Sequence, residues 1–344
     1  MILNYIISLD WLQFRCSGFL RTNSEFVRVV KMDINSRFFN EVYEVFAGNE
    51  RLAVVQYKPK FQHEDQYMSL IKFQNRLLYK DTLKNNVEIV LDALGLSIVA
   101  FSRIDLACDF VQFKNKWHPP HFIKSFIANN VIMKGKFKGA LFFESNEEIE
   151  YQTLQIGRHS SELTAKLYNK TRELQQQKDK PYIREMHKYL SNNDNWDVWR
   201  FEIKLTTDAL KMASTSTGEV VCPATWSWWD REEWKNLFFS VFNSKFVFFK
   251  NAHKSVKSRN ERLVLFDRDD ILYKISIKND NSDTTRKHII FAKMLYNLDK
   301  EMRTINKEFL PTIQELSKAY IREHGIYRLD DDKFLQQGKY HFDR

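Results

Sequence analysis

Residues Ser97 to Phe110 read SIVAFSRIDLACDF. The stretch is too rich in β-branched residues to make a good helix, and it suits a strand. In a strand, alternate side chains share a face. Arg103, Asp105, Ala107 and Asp109 then point one way, and Ile104, Leu106, Cys108 and Phe110 the other. The apolar set predicts contact with a core. The polar set carries two carboxylates and a guanidinium, which are costly to bury unless they are paired or hold a cation. An internal Arg–Asp salt bridge would account for them. Asp105 and Asp109 lie about 13 Å apart along a regular strand, too far to grip one ion together.

Working outward, WRFEIKL (Trp199 to Leu205) repeats the construction. Arg200, Glu202 and Lys204 share one face, and Phe201, Ile203 and Leu205 the other. If the two strands are neighbours, about 4.8 Å apart, Glu202 comes within reach of Asp105. Two such carboxylates suit one hard cation, Mg²⁺ or Mn²⁺. Between these strands lies TLQIGRHSSELTAKLYNKTRE (Thr153 to Glu173), a strand, a glycine turn and a returning strand. A regular returning strand puts Lys166, Tyr168 and Lys170 on one face. Cations and a phenol beside sheet carboxylates suit a phosphodiester.

Other short runs also read as strands: Phe26 to Met32, Glu41 to Phe46, Leu52 to Tyr57, Met68 to Phe73, Gly139 to Glu144 and Tyr151 to Ile156. Thr82 to Leu94 has apolar residues at helical spacing and Gly95 as its stop. Further helices are expected over His121 to Asn129, from Glu173 with a break near Pro181, after a capping box at Ser227 to Asp230, over Thr284 to Thr304, and over Pro311 to Gly325. Strands mixed with helices, without strict βαβ spacing, predict an α+β fold. It has an antiparallel-rich central sheet, flanking helices and a helical C-terminal region. The expected division is a core over 1–208, an aromatic and basic extension over 209–281, and the helical region over 282–344.

With 53 Lys and Arg against 44 Asp and Glu, the chain carries a formal net charge of +9. That favours a polyanion, either nucleic acid or an anionic membrane surface. Lys245 to Arg262 holds six basic residues and one acid, so it is locally +5. Cys16, Cys108 and Cys222 are far apart and form no zinc pattern. The sparse cysteines fit a reducing cytoplasm. The apolar start, MILNYIISLDWLQF, lacks a basic leader and is interrupted by Asp10, so it reads as a first strand. No stretch approaches a membrane span. His118-Pro119-Pro120-His121 reads as a loop.

Three marks in order resemble the Rep-trans replication initiators and related relaxases of mobile elements. They are Arg103-Ile104-Asp105 to Asp109, Thr153 to Gly157 running on to Tyr168-Asn169-Lys170 and Glu173, and Trp199-Arg200-Phe201-Glu202. The IISLDWLQF opening is similar to that family's first strand. The resemblance implies rolling-circle initiation. A tyrosine attacks one DNA strand at the origin, assisted by a divalent metal, and leaves a 3′-OH primer. It implies metal ligands Asp105 and Glu202, with Asp109 and Glu173 as supporting carboxylates; because position 155 is Gln, the catalytic candidates are other tyrosines, Tyr168 ahead of Tyr151, with Lys170 beside Tyr168. DNA contacts are expected from Arg103, Arg158, Lys166, Arg200 and Lys204, and from Lys250, Lys254, Lys257 and Arg259 in the basic run. Origin duplex and single strand are the expected partners, with a host helicase and a second copy of the chain. Gln155 stands where the family carries its attacking Tyr. Three readings therefore stay open: a nicking initiator, a non-catalytic origin-binding relative, and an unrelated nuclease or primase-like enzyme using Asp105 and Glu202.

Overall fold

The computed structural model describes residues 4–275, other than 35, 61–65, 115–116, 134–138, 146–148, 159–160, 177–179, 191–195, 216, 251–260 and 269. In chain order the first elements are β1 (Tyr5–Ser17), β2 (Arg28–Met32), β3 (Phe39–Ala47), β4 (Glu50–Pro59), β5 (Met68–Phe73), α1 (Asn75–Leu78), α2 (Leu83–Leu94) and β6 (Ser97–Phe110). They are followed by α3 (Pro119–Ile127), β7 (Val131–Met133), β8 (Gly139–Ser145), β9 (Ile149–Ile156), β10 (Leu163–Asn169), α4 (Lys170–Gln176) and α5 (Pro181–His187). Last come β11 (Trp199–Thr206), α6 (Thr207–Lys211), β12 (Ala213–Thr215), α7 (Arg231–Lys245), β13 (Phe248–Lys250), β14 (Arg262–Leu263) and β15 (Tyr273–Ile275).

Ten strands form one sheet in the order β2-β3-β4-β5-β1-β6-β11-β10-β9-β8, with every neighbouring pair antiparallel. The fold is α+β. The two strands singled out first, β6 and β11, are neighbours near its centre. Their apolar faces are buried as the alternation requires, and α7 covers them. Phe201 of β11 packs against Phe242 and Phe246 of α7, with ring centroids 5.0 and 5.7 Å apart, and Tyr5 meets Phe239 at 5.0 Å. Burying each such ring contributes about 2–3 kcal/mol. Residues 1–276 make one compact unit and 277–344 a second. The helices expected over Thr284 to Thr304 and Pro311 to Gly325 lie outside the described residues.

Three local expectations are corrected. His118-Pro119-Pro120-His121 is not a loop: His118 is the N-cap of α3, and Pro119 and Pro120 open the helix, where a missing N–H costs nothing. Lys170 does not continue β10. The strand ends at Asn169, whose side-chain oxygen accepts from Arg172 N at 3.0 Å as α4 begins. The cap of α7 is Asp230 itself, whose carboxylate accepts from Glu232 N at 2.9 Å, and not a box opened by Ser227.

Candidate active site

Strand register lays the polar face out in rows across the sheet. One row reads Thr153, Tyr168, Arg200, Asp109, Ile6, and the next Gln155, Lys166, Glu202, Ala107, Ser8. A third reads Thr164, Lys204, Asp105, Trp11, and a fourth Thr206, Arg103, Gln13, Lys72. Asp105 and Glu202 thus sit on adjacent strands and on the same face. They are diagonal neighbours, because Lys204 stands directly opposite Asp105. β1 contributes through a bulge. Its register to β6 shifts between Leu9 and Trp11, leaving Asp10 as the extra residue. Leu9 and Leu12 are both fully buried. The two residues between them, Asp10 and Trp11, therefore both turn toward the polar side.

One end of this face is closed over. Arg200 and Asp109 are each 0% exposed. The Arg200 guanidinium donates to Asp109 through Nε at 2.6 Å and Nη2 at 2.7 Å, to Asp10 through Nη1, and to the Tyr79 hydroxyl at 3.2 Å. Helices α1 and α5 form the cover. His187 Nε2 lies 3.0 Å from Asp109 Oδ2, Tyr182 donates to Asn75 Oδ1 at 2.8 Å, and Asn75 donates to the Asp10 carbonyl at 2.8 Å. Burial works to raise both aspartates. Arg200 outweighs it and holds Asp10 and Asp109 below the usual carboxylate range. Arg200, expected among the DNA contacts, is buried, with its guanidinium bonded to Asp109, Asp10 and Tyr79. Asp109 serves as its counter-ion.

Beyond this lock the carboxylates are less well compensated. Burial, then the charges of Asp10 and Asp105, push Glu202 up to about 7. Asp105 is also raised, by burial first and in part by Asp10, although Arg103 opposes this. Arg103 grips Asp105 with both nitrogens of its fork, Nε to Oδ1 at 2.8 Å and Nη2 to Oδ2. This is the internal salt bridge that the sequence allows. Asp10 adds to the raised pKa of both Asp105 and Glu202, and Asp105 to that of Glu202, so hard oxygen donors crowd here as they do where a divalent cation would relieve them. Among the described residues, no group of three or more His, Cys, Asp and Glu is gathered tightly enough to hold an ion as it stands.

The chain matches the Rep_trans family, described as replication initiation factor, over residues 99–323. It belongs to that family. A structure of a rolling circle replication initiator protein from Geobacillus stearothermophilus is similar to this replication initiation factor at 14% identity and a TM-score of 0.43. The similarity covers 76% of this chain and 92% of that one. No curated protein matches it.

In this replication initiation factor, Tyr168 lies within the polar cluster. Its hydroxyl donates to Glu202 Oε2 at 2.9 Å, and burial and then the Glu202 charge raise its pKa well above the ordinary value. Lys170 is 1% exposed, and its ammonium lies 2.5 Å from Glu173. Its pKa is lowered by burial and then by Arg200. Gln155 sits across Lys166 from Glu202, and its amide donates to Gly157 O at 3.3 Å. Tyr151 lies on β9 opposite Phe143, past an irregularity in the register with β8. Arg158 and Lys166 are exposed, and Lys204 is partly so. Lys250 pairs with Glu261 at 3.1 Å. Lys254, Lys257 and Arg259 lie outside the described residues. Asp10, Tyr79 and His187 were not expected at the site. The signal for Asp10 was present: a lone carboxylate in an otherwise apolar strand, the logic that singled out Asp105.

Proposed function

We propose that this protein initiates rolling-circle replication of a plasmid or mobile element by nicking and rejoining one strand of origin DNA. The observation that carries the reading is the Tyr168–Glu202 pair. A phenol hydroxyl donates at 2.9 Å to a carboxylate whose pKa stands at about 7. A phenol ionises poorly alone, and a hydrogen-bonded carboxylate can take its proton as the new bond forms. Glu202 takes the proton as Tyr168 Oη bonds to phosphorus and the bond from phosphorus to the 3′ oxygen breaks. The 5′ phosphate stays on Tyr168. The 3′ oxygen is protonated by solvent and leaves as the priming hydroxyl. Asp105, with Asp10 beside it, would hold Mg²⁺ or Mn²⁺, which when bound would polarise the phosphate, and Glu202, expected from the sequence as the second ligand, would stay off the metal to serve as the base. Arg103, Lys166 and Lys204 neutralise the strand's charge. On this reading the protein acts in the cytoplasm on origin duplex and its exposed single strand, with a host helicase and a second copy of the chain as partners.

The test is covalent capture of a single-stranded origin oligonucleotide in Mn²⁺. Wild type is expected to form a protein–DNA band, Tyr168→Phe to lose it by more than about 100-fold, and Tyr151→Phe to keep it. Capture by both variants would remove Tyr168 from the role. One observation favours a second reading, a non-catalytic origin-binding relative acting as repressor or assembly factor. The amide of Gln155, the residue that the sequence resemblance aligns with the family's tyrosine, is turned back on Gly157. Tight binding by wild type with no covalent product would establish that reading instead.

A further inference from the structure

The rows of the polar face contain a line of cations that the catalytic reading uses only in part. Lys166 on β10, Lys204 on β11 and Arg103 on β6 each step one row diagonally from the last, and Lys72 on β5 continues the line past β1. Four strand spacings across and two rows along make the line about 23 Å long. It runs beside Glu202 and Asp105, which lie opposite Lys166 and Lys204 respectively. Its far end is built around Trp11. Lys72 Nζ sits 3.3 Å from the indole centroid, and the Arg103 guanidinium carbon sits 4.0 Å from the same ring. The indole Nε1 donates to Gln13 at 3.1 Å, which fixes the ring.

Two cations on one indole repel each other. Each cation–π contact contributes only about 0.5–2 kcal/mol. Arg103 has a counter-ion in Asp105. Lys72 is in no ion pair among the described residues, and burial, then Arg103, brings its pKa down to about 8. A partly exposed ammonium held against an aromatic ring beside another cation suits contact with an anion. The cations stand in single file, which matches one phosphodiester backbone. A duplex would present two.

We propose that Lys72, held on Trp11, is a phosphate-binding subsite for single-stranded DNA, and that the line Lys166, Lys204, Arg103, Lys72 is the path of that strand past the carboxylates. Both Trp11 and Lys72 precede the residues matched to the family, which begin at 99. The inference rests on reading the polar face as the DNA site, but not on whether the strand is cut. The experiment therefore measures binding without chemistry.

Full-length wild type, Lys72→Met and Lys72→Arg are titrated onto a fluorescent oligothymidylate, and onto a duplex of equal length, in EDTA over a range of salt. Lys72→Met is expected to lower single-strand affinity about 5-fold and to reduce the slope of log K against log salt by about 0.7, the value of one phosphate contact on a single strand. Lys72→Arg, which keeps the charge, should retain the wild-type slope. Duplex affinity should change less than 2-fold on Lys72→Met. An unchanged slope in Lys72→Met overturns the proposal. So does an equal loss on duplex, or a wild type that does not bind oligothymidylate. A protein that binds through Lys72 yet never forms a covalent band overturns the nicking reading and leaves the track standing.

Discussion

Glu202 couples the chemistry of the site to the stability of the fold. Its carboxyl titrates near 7 in the folded protein against 4.5 ordinarily, so the folded state holds an extra proton between those values. The stability this contributes is complete below about pH 4.5 and is lost as pH rises through 7. Without divalent metal, wild type should be more stable at pH 5.5 than at pH 7.5 by on the order of 1–2 kcal/mol relative to Glu202→Gln, which has no such proton to lose. Urea unfolding of both proteins at both pH values measures this, and parallel stabilities would contradict it. Asp109 behaves oppositely. Replacing it with Asn leaves Arg200 buried without its main counter-ion, and the expected cost is about 3–5 kcal/mol in the same assay. Asp105, Glu202 and Tyr168 were legible in the sequence because alternation alone assigns them a face. The burial of Arg200 was not, since that depends on α5 folding over the row. His187 and Tyr182, which bring α5 there, carry no signal linking them to β6.

At the scale of elements, the reading succeeded where hydrophobic period and boundary agreed. Strands β5 and β6 fall where alternation places them, and α2 ends at Gly95. It missed the β1 bulge because regular alternation cannot announce an inserted residue, although the Leu9 to Leu12 spacing records it. It missed β12 to β15 because strands of two or three residues have no period to detect. The end of α2 gives a test. Gly95 is left-handed, with φ 68°, and its N–H caps the helix on the Asp92 and Leu91 carbonyls. A Cβ there would meet Phe19 O at 3.1 Å, whereas a Cβ on Gly18 would lie only 2.3 Å from Gly95 O. Gly95→Ala should therefore cost about 1 kcal/mol. Gly18→Ala should cost more, because backbone would have to move. Thermal melts of the two variants give the order, and a reversed order would show that the loop relaxes more readily than the helix end.

For the whole molecule, the antiparallel α+β class was legible because paired hairpins and absent βαβ spacing leave few other arrangements. The basic balance was legible too, but it does not say which surface the DNA meets. The division of the chain makes that question experimental. Residues 1–276 form a compact unit of their own, while the family match continues to 323, into the second unit. The polar face, its carboxylates and its line of cations all precede residue 276. A chain ending at Asn281 should therefore retain salt-sensitive binding, because phosphate contacts need only positioned charge. Origin discrimination needs contacts to base edges in a groove, which a flat sheet face supplies poorly and helices supply well. The region beyond Asn281 reads as helical in sequence, with Ile290, Met294, Leu295 and Leu298 on one side. The expected result is that truncation lowers the ratio of origin to scrambled-duplex affinity at least 10-fold at fixed salt, while affinity for single strand changes less than about 3-fold. Competition binding with the two duplexes measures the ratio. If the truncated chain discriminates as well as the full one, recognition belongs to residues before 281, and the basic run from Lys245 to Arg262 becomes the segment to mutate.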